Sequence, residues 1–132
     1  MGMKWFFINR RYAVLTLVYC VIVFALSSIS RAPEALQWIT PHDLVVHAML
    51  YAGLGWLAGM TVRTGAVPWR GWRVWVAPIA FAAVYGASDE LHQLFVPGRH
   101  CALADWMADV AGAAVVQVVF VLRNLRRVGD SA

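Results

Sequence analysis

Gly86-Ala87-Ser88-Asp89-Glu90-Leu91-His92-Gln93-Leu94-Phe95-Val96-Pro97-Gly98-Arg99 ends one apolar run and leads into another. The second run carries Asp105 and Asp109 one helical turn apart. Asp89, Glu90, Asp105 and Asp109 are four carboxylates in a chain that holds only seven acids. Ionisable groups in or beside a membrane are costly, so carboxylates gathered in so apolar a chain point to a function.

Composition sets the class. The chain has 132 residues, 61% hydrophobic and 14% charged, with a mean hydropathy of +0.64. Soluble domains run about 45–50% apolar and about 25% charged. Four spans of about 20 residues each leave too little chain for a separate soluble domain. The expectation is an all-α integral membrane bundle of four transmembrane helices covering 1–132 as a single domain.

The four apolar runs fall at about 12–29, 43–62, 74–91 and 103–122. The first has a basic flank and a small-residue exit at Ala25-Leu26-Ser27, which also describes a signal peptide; its length favours a span. Thr40-Pro41 precedes the second run as a start signal. Within it Asp43, His47, Tyr51, Gly55 and Gly59 recur every fourth residue, a stripe that drifts slowly around one helix face. Gly55 and Gly59 permit close approach of a neighbouring helix. The third run has Pro78 near its start, where proline is tolerated or kinks mildly. Val96-Pro97-Gly98-Arg99 suits a type II turn. Ala104, Ala108 and Gly112 give the fourth run a small-residue edge.

Charge gives orientation. The N-terminus, the loop between the second and third runs and the C-terminus hold nine of the eleven Lys and Arg residues. The positive-inside rule then makes both termini cytoplasmic, and short loops make the bundle up-down and antiparallel. The net charge of +4 does not indicate nucleic acid, because the basic residues cluster at the ends of apolar runs. Cys20 and Cys101 form no metal-type spacing or disulfide framework.

In this topology all four histidines and six of the seven acids lie at the extracytoplasmic end. Helices two and four begin there and helix three ends there, so three helices aim polar side chains at one outer pocket. Asp105, Asp109 and Gly112 share a face that should turn inward, since a lipid-facing carboxylate costs up to ~2.5–3.5 kcal/mol. Gly86, Glu90 and Gln93 share one face of helix three; Tyr85, Asp89 and His92 share the adjacent one. Arg99 is the nearest cation in sequence and is expected to pair bidentately with an acid. The pocket is expected to comprise Asp43, His47, Tyr51, Asp89, Glu90, Gln93, Arg99, Asp105 and Asp109, with Ser27, Ser28 and His92 as secondary candidates. The bland readings are an ion-pair network at the third turn, helix N-terminal acids favoured by the macrodipole, and interfacial histidines. Six acids against two arginines on this face still need protonation, histidine partners, solvent, a bound cation or a cationic substrate.

At these residues the chain resembles the VanZ-like family of small bacterial membrane proteins. The resemblance rests on Ser27-Ser28, on Asp43 through His47 followed by Tyr51-Ala52-Gly53-Leu54-Gly55, on Glu90 through Arg99, and on Asp105, Asp109 and Gly112. Two positions depart from the family pattern: Leu44 stands where many relatives have lysine, and Asp109 where asparagine is frequent. The resemblance implies a multi-pass protein of the bacterial cytoplasmic membrane and cell envelope, with an association to teicoplanin resistance but no settled activity.

Three functions compete. One is a non-enzymatic envelope protein whose pocket binds membrane lipid, a lipid-linked cell-wall precursor or a glycopeptide. The second is an enzyme acting on a lipid or lipid-phosphate substrate, with His47 as acid or base, Glu90 and Asp105 helping to bind a metal or tune the histidine, and Arg99 on a phosphate. The third, an ion-coupled transporter, is disfavoured because ionisable groups occupy one side only. The residues name no cofactor and leave catalytic residues, metal and oligomeric state open.

Overall fold

The computed structural model describes residues 9–30, 43–65 and 69–130. Its elements are four helices, α1 (Arg10–Ser27), α2 (Asp43–Arg63), α3 (Arg73–Gln93) and α4 (Leu103–Gly129), with no strand among the described residues. All four runs read from composition are present. The last differs most: α4 continues seven residues past 122, into an exposed stretch through Arg123 and Arg126. Arg and Leu are good helix formers, so the helix does not stop where the apolar run does.

Three helices are long and apolar enough to cross a membrane: α1, Leu44–Arg63 of α2, and Leu103–Arg126 of α4. Four such helices were expected. The 21-residue α3 is about 31 Å long, close to the hydrocarbon thickness of about 30 Å. Its lower apolarity reflects Ser88, Asp89, Glu90, His92 and Gln93 at its C-terminal end, and three of these, Asp89, Glu90 and Gln93, are buried against the other helices. Outside, Leu17, Val21, Met49, Val84 and Val115 are all more than half exposed. In water such a surface would aggregate; in lipid it is the solvated face.

Helix α2 packs most extensively against α4, and of the helix pairs that touch, α1 and α3 touch least. Small residues explain the first pair. A Cβ on Gly112 would collide with the backbone of Ala48, and one on Gly55 would lie 2.8 Å from Ala113 Cα. The expected small-residue edge of α4 is therefore shifted: Gly112 and Ala113 are buried, whereas Ala104 is exposed.

Helix α1 is held by polar contacts at both ends and in the middle. The Asn9 side chain caps it, accepting from the Arg11 and Tyr12 amides, and its own Nδ2 donates to Thr64 Oγ1 at 3.0 Å. At mid-height Tyr19 Oη donates to the Leu50 carbonyl (3.0 Å) and Tyr85 Oη to the Cys20 carbonyl (2.6 Å). Around them Cys20, Val23, Tyr51, Leu54, Ala82 and Ala113 form the core. The turn after α3 has the expected form: Gly98 has φ of 76°, and the Arg99 amide donates to the Val96 carbonyl at 3.1 Å.

Candidate functional site

One end of the bundle holds two polar clusters. The first joins α2, α3 and α4. The fourfold stripe of α2 puts His47 one turn before buried Tyr51, and the matching stripe of α4 puts Asp105 one turn before fully buried Asp109. His47 Nδ1 and Asp109 Oδ1 share a hydrogen bond of 2.9 Å. His47 Nε2 lies 4.0 Å from Asp105 Oδ2. From α3, Glu90 reaches the start of α4, where its Oε2 accepts the Ala102 amide at 2.8 Å. That amide belongs to the N-cap residue, which supplies no side-chain cap of its own. The carboxylate thus serves a helix start, the position a negative charge favours.

Three buried oxygens of this cluster have no hydrogen-bond partner among the described residues: Glu90 Oε1, Asp109 Oδ2 and Tyr51 Oη. Gly86 keeps the space before one of them open, since a Cβ there would lie 2.9 Å from Asp109 Oδ2 and 3.2 Å from Tyr51 Cε1.

The second cluster ties α1 to α3. Ser27 Oγ donates to Asp89 Oδ1 at 2.6 Å, and Ser28 Oγ shares a 3.0 Å hydrogen bond with His92 Nε2. The His92 ring lies 4.4 Å from that of Phe24. All three secondary candidates are therefore engaged here, the adjacent Ser27 and Ser28 meeting Asp89 and His92, which lie about one turn apart on α3.

Between the clusters lies a cavity of about 250 Å³ lined by Ser27, His47, Tyr51, Asp89, Gln93 and Arg99, with Val23, Leu26, Val46 and Leu50 as its apolar part. Leu26 and Val46 are close to half exposed, so the mouth meets the surface that faces lipid. Among the described residues Arg99 pairs with no acid. Its Nε donates instead to the Ile29 carbonyl at 3.2 Å, an acceptor just past the end of α1 that helical bonding leaves free. Among the described residues the ion pairs within 4.0 Å at this end are those of His47 with Asp105 and Asp109. The Asp43 side chain lies outside the described residues, as do Glu34 and His42. His100 is exposed.

Sequence reasoning missed a polar group at the opposite end. Gln117 is buried, donates through Nε2 to the Gly55 carbonyl (2.9 Å) and accepts from Arg63 Nη2 (2.7 Å). The Arg63 guanidinium sits 4.7 Å from the Trp75 ring centroid and 4.2 Å from that of Phe120. Arg63 read as a topology charge at a run's end; it is folded in. The signal for Gln117 was its place on the stripe Asp105, Asp109, Ala113, Gln117. About 12 Å of helix separates Asp109 from Gln117, and fully buried Leu54, Ala82 and Ala113 form an apolar layer around mid-height.

These features define a small α-helical membrane protein with a buried polar pocket at one end of its bundle. The family model VanZ/LLP1 matches residues 12–124, and the chain belongs to the VanZ-like family. No curated protein and no solved structure matched it.

Proposed function

We propose that this VanZ-like protein binds the polar head of a membrane lipid or lipid-linked cell-wall precursor at the extracytoplasmic face of the bacterial cytoplasmic membrane. In doing so it modulates susceptibility to teicoplanin-type glycopeptides. The observation that carries the reading is the 250 Å³ cavity, lined by both polar and apolar side chains, with half-exposed Leu26 and Val46 at the lipid-facing surface. A lipid head presents the same combination of donors, acceptors and apolar stem. Below the Tyr85–Cys20 contact the cleft between α1, α2 and α3 resumes as an apolar groove of about 370 Å³ lined by Thr16, Leu17, Ala58, Pro78 and Phe81, suited to a hydrocarbon chain. Arg99 carries a positive charge to the cavity without an acid partner among the described residues, which suits a phosphate.

The test uses the full chain in lipid nanodiscs with polyprenyl phosphate or polyprenyl diphosphate as probe. Wild type should retain the probe, and Arg99→Ala and Gln93→Ala should each weaken retention about tenfold, the loss of one charged or well-placed hydrogen bond. Cells expressing these variants should lose any shift in teicoplanin susceptibility given by the wild type. Unchanged retention in both variants overturns the reading.

A second reading, an enzyme acting on the same lipid phosphate, is favoured by the 2.9 Å His47–Asp109 bond, in which the acid orients an imidazole that can exchange a proton. Release of phosphate from the same probe, lost in His47→Ala, would select it over simple binding.

A further inference from the structure

We infer that His47, Glu90 and Asp109 form a site for one divalent transition-metal cation of the Mn²⁺ or Zn²⁺ type, with Asp105 at its edge. One donor atom from each of the three residues lies within 4.8 Å of the others. Donors on opposite sides of a cation bound at 2.0–2.2 Å stand ~4.0–4.4 Å apart, so side-chain shifts of a few tenths of an ångström would close the set. Three different helices supply the residues, α2, α3 and α4. The site is thus an internal crossing point of the bundle, not an acidic surface patch.

The independent observation is how the two carboxylates use their oxygens. Glu90 and Asp109 are 3% and 0% exposed. Glu90 Oε2 is anchored on the Ala102 amide and Asp109 Oδ1 shares a hydrogen bond with His47 Nδ1, while the other oxygen of each is buried without a partner among the described residues. For Glu90, one oxygen oriented by a hydrogen bond and one free to coordinate is how metal-ligating carboxylates are held; an ion shared by His47 and Asp109 would replace the hydrogen bond between them. The Tyr51 ring borders the same space, since a Cβ on Gly86 would lie 3.2 Å from its Cε1, and its Oη is also buried without a partner among the described residues. Gly86 leaves the volume beside Asp109 Oδ2 clear.

Charge asks for the same occupant. Glu90, Asp105 and Asp109 surround one imidazole, and Arg99, the arginine nearest in sequence, spends its Nε on a backbone carbonyl. Several carboxylates in a low-dielectric interior need a compensating cation or protons. The imidazole selects among cations: nitrogen with carboxylate oxygen suits Mn²⁺, Zn²⁺ or Fe²⁺, whereas Mg²⁺ and Ca²⁺ take oxygen alone. Asp109 is the ligand in place of Asp105, which sequence reasoning had grouped with Glu90.

The experiment uses purified full-length protein in detergent, stripped with chelator and dialysed against Mn²⁺ or Zn²⁺ alone. About one ion per chain should be retained, with a raised unfolding temperature, since a ligand of the folded state stabilises it. Glu90→Gln and Asp109→Asn should each weaken binding at least about tenfold, no less than loss of an outer-shell partner does. Pulsed electron paramagnetic resonance of the Mn²⁺ form should show coupling to an imidazole nitrogen that disappears in His47→Gln. Failure of stripped wild type to take up either ion overturns the site, as does equal binding by both carboxylate variants. Should those variants not fold, Mn²⁺ bound to wild type without nitrogen coupling overturns it on its own. The probe is the metal alone, so the outcome is separate from whether polyprenyl phosphate binds.

Discussion

Gly86 shows how closely the site is drawn at the level of single residues. Alanine is the better helix former by up to about 1 kcal/mol, yet its methyl would press on Asp109 Oδ2 at 2.9 Å and Tyr51 Cε1 at 3.2 Å. Overpacking of this kind costs about 1–3 kcal/mol. Gly86→Ala should therefore destabilise the protein by up to about 2 kcal/mol net in a denaturant titration in micelles, while Ser88→Ala on the exposed face changes little. A Gly86→Ala variant as stable as wild type would mean that Asp109 moves aside freely. The residues themselves were largely legible in the sequence, because the carboxylates and His47 fall at fourfold spacing and acids in apolar helices must turn inward. Their pairings were less so. Arg99 bonds the Ile29 carbonyl because a helix end leaves acceptors that compete with carboxylates, and no sequence spacing reveals which acceptor is within reach. The Ser27–Asp89 and Ser28–His92 pairs join positions more than sixty residues apart, and only the packing of α1 on α3 brings them together.

At the level of elements, those pairs tie α1 to α3, while the larger packing of α1 is against α2. Its contact with α3 is thin and includes Tyr85 Oη on the Cys20 carbonyl, the two serine pairs and the Phe24–His92 ring contact, with Arg99 on the Ile29 carbonyl just beyond the helix ends. Interhelical hydrogen bonds in membranes average about 0.6 kcal/mol and reach about 1.7. Removing a donor from a buried carboxylate costs about 1–3 kcal/mol. Ser27→Ala should thus cost more than Ser28→Ala, since Asp89 is buried while Ser28 is exposed. The ordering can be read from unfolding titrations of the two variants in mixed micelles; a larger loss for Ser28→Ala would contradict it. The α2–α4 pair behaves differently, being fixed by backbone approach at Gly112 and Gly55, where a methyl has nowhere to go. The helices were legible as apolar runs because length and hydropathy set them. The end of α4 was not, because α4 runs on into polar residues that are themselves good helix formers.

For the whole molecule the open question is which way the polar end points. The sequence argues from nine of eleven basic residues that both termini are cytoplasmic, which sends the His47–Glu90–Asp109 end outward. Arg63 weakens that count by one, since its guanidinium is folded between Trp75 and Phe120, but eight against two leaves the sign unchanged. The two cysteines supply a direct measurement. Cys101 is free and exposed in the segment between α3 and α4, beside the polar end, whereas Cys20 is free but buried in the core. A membrane-impermeant maleimide added to sealed right-side-out vesicles should label Cys101 and leave Cys20 unmodified, with labelling abolished in Cys101→Ser. Labelling confined to inside-out vesicles would turn the pocket to the cytoplasm. The cell-wall ligand would then lose its route of access, while the cation site, which depends only on distances within the bundle, would stand.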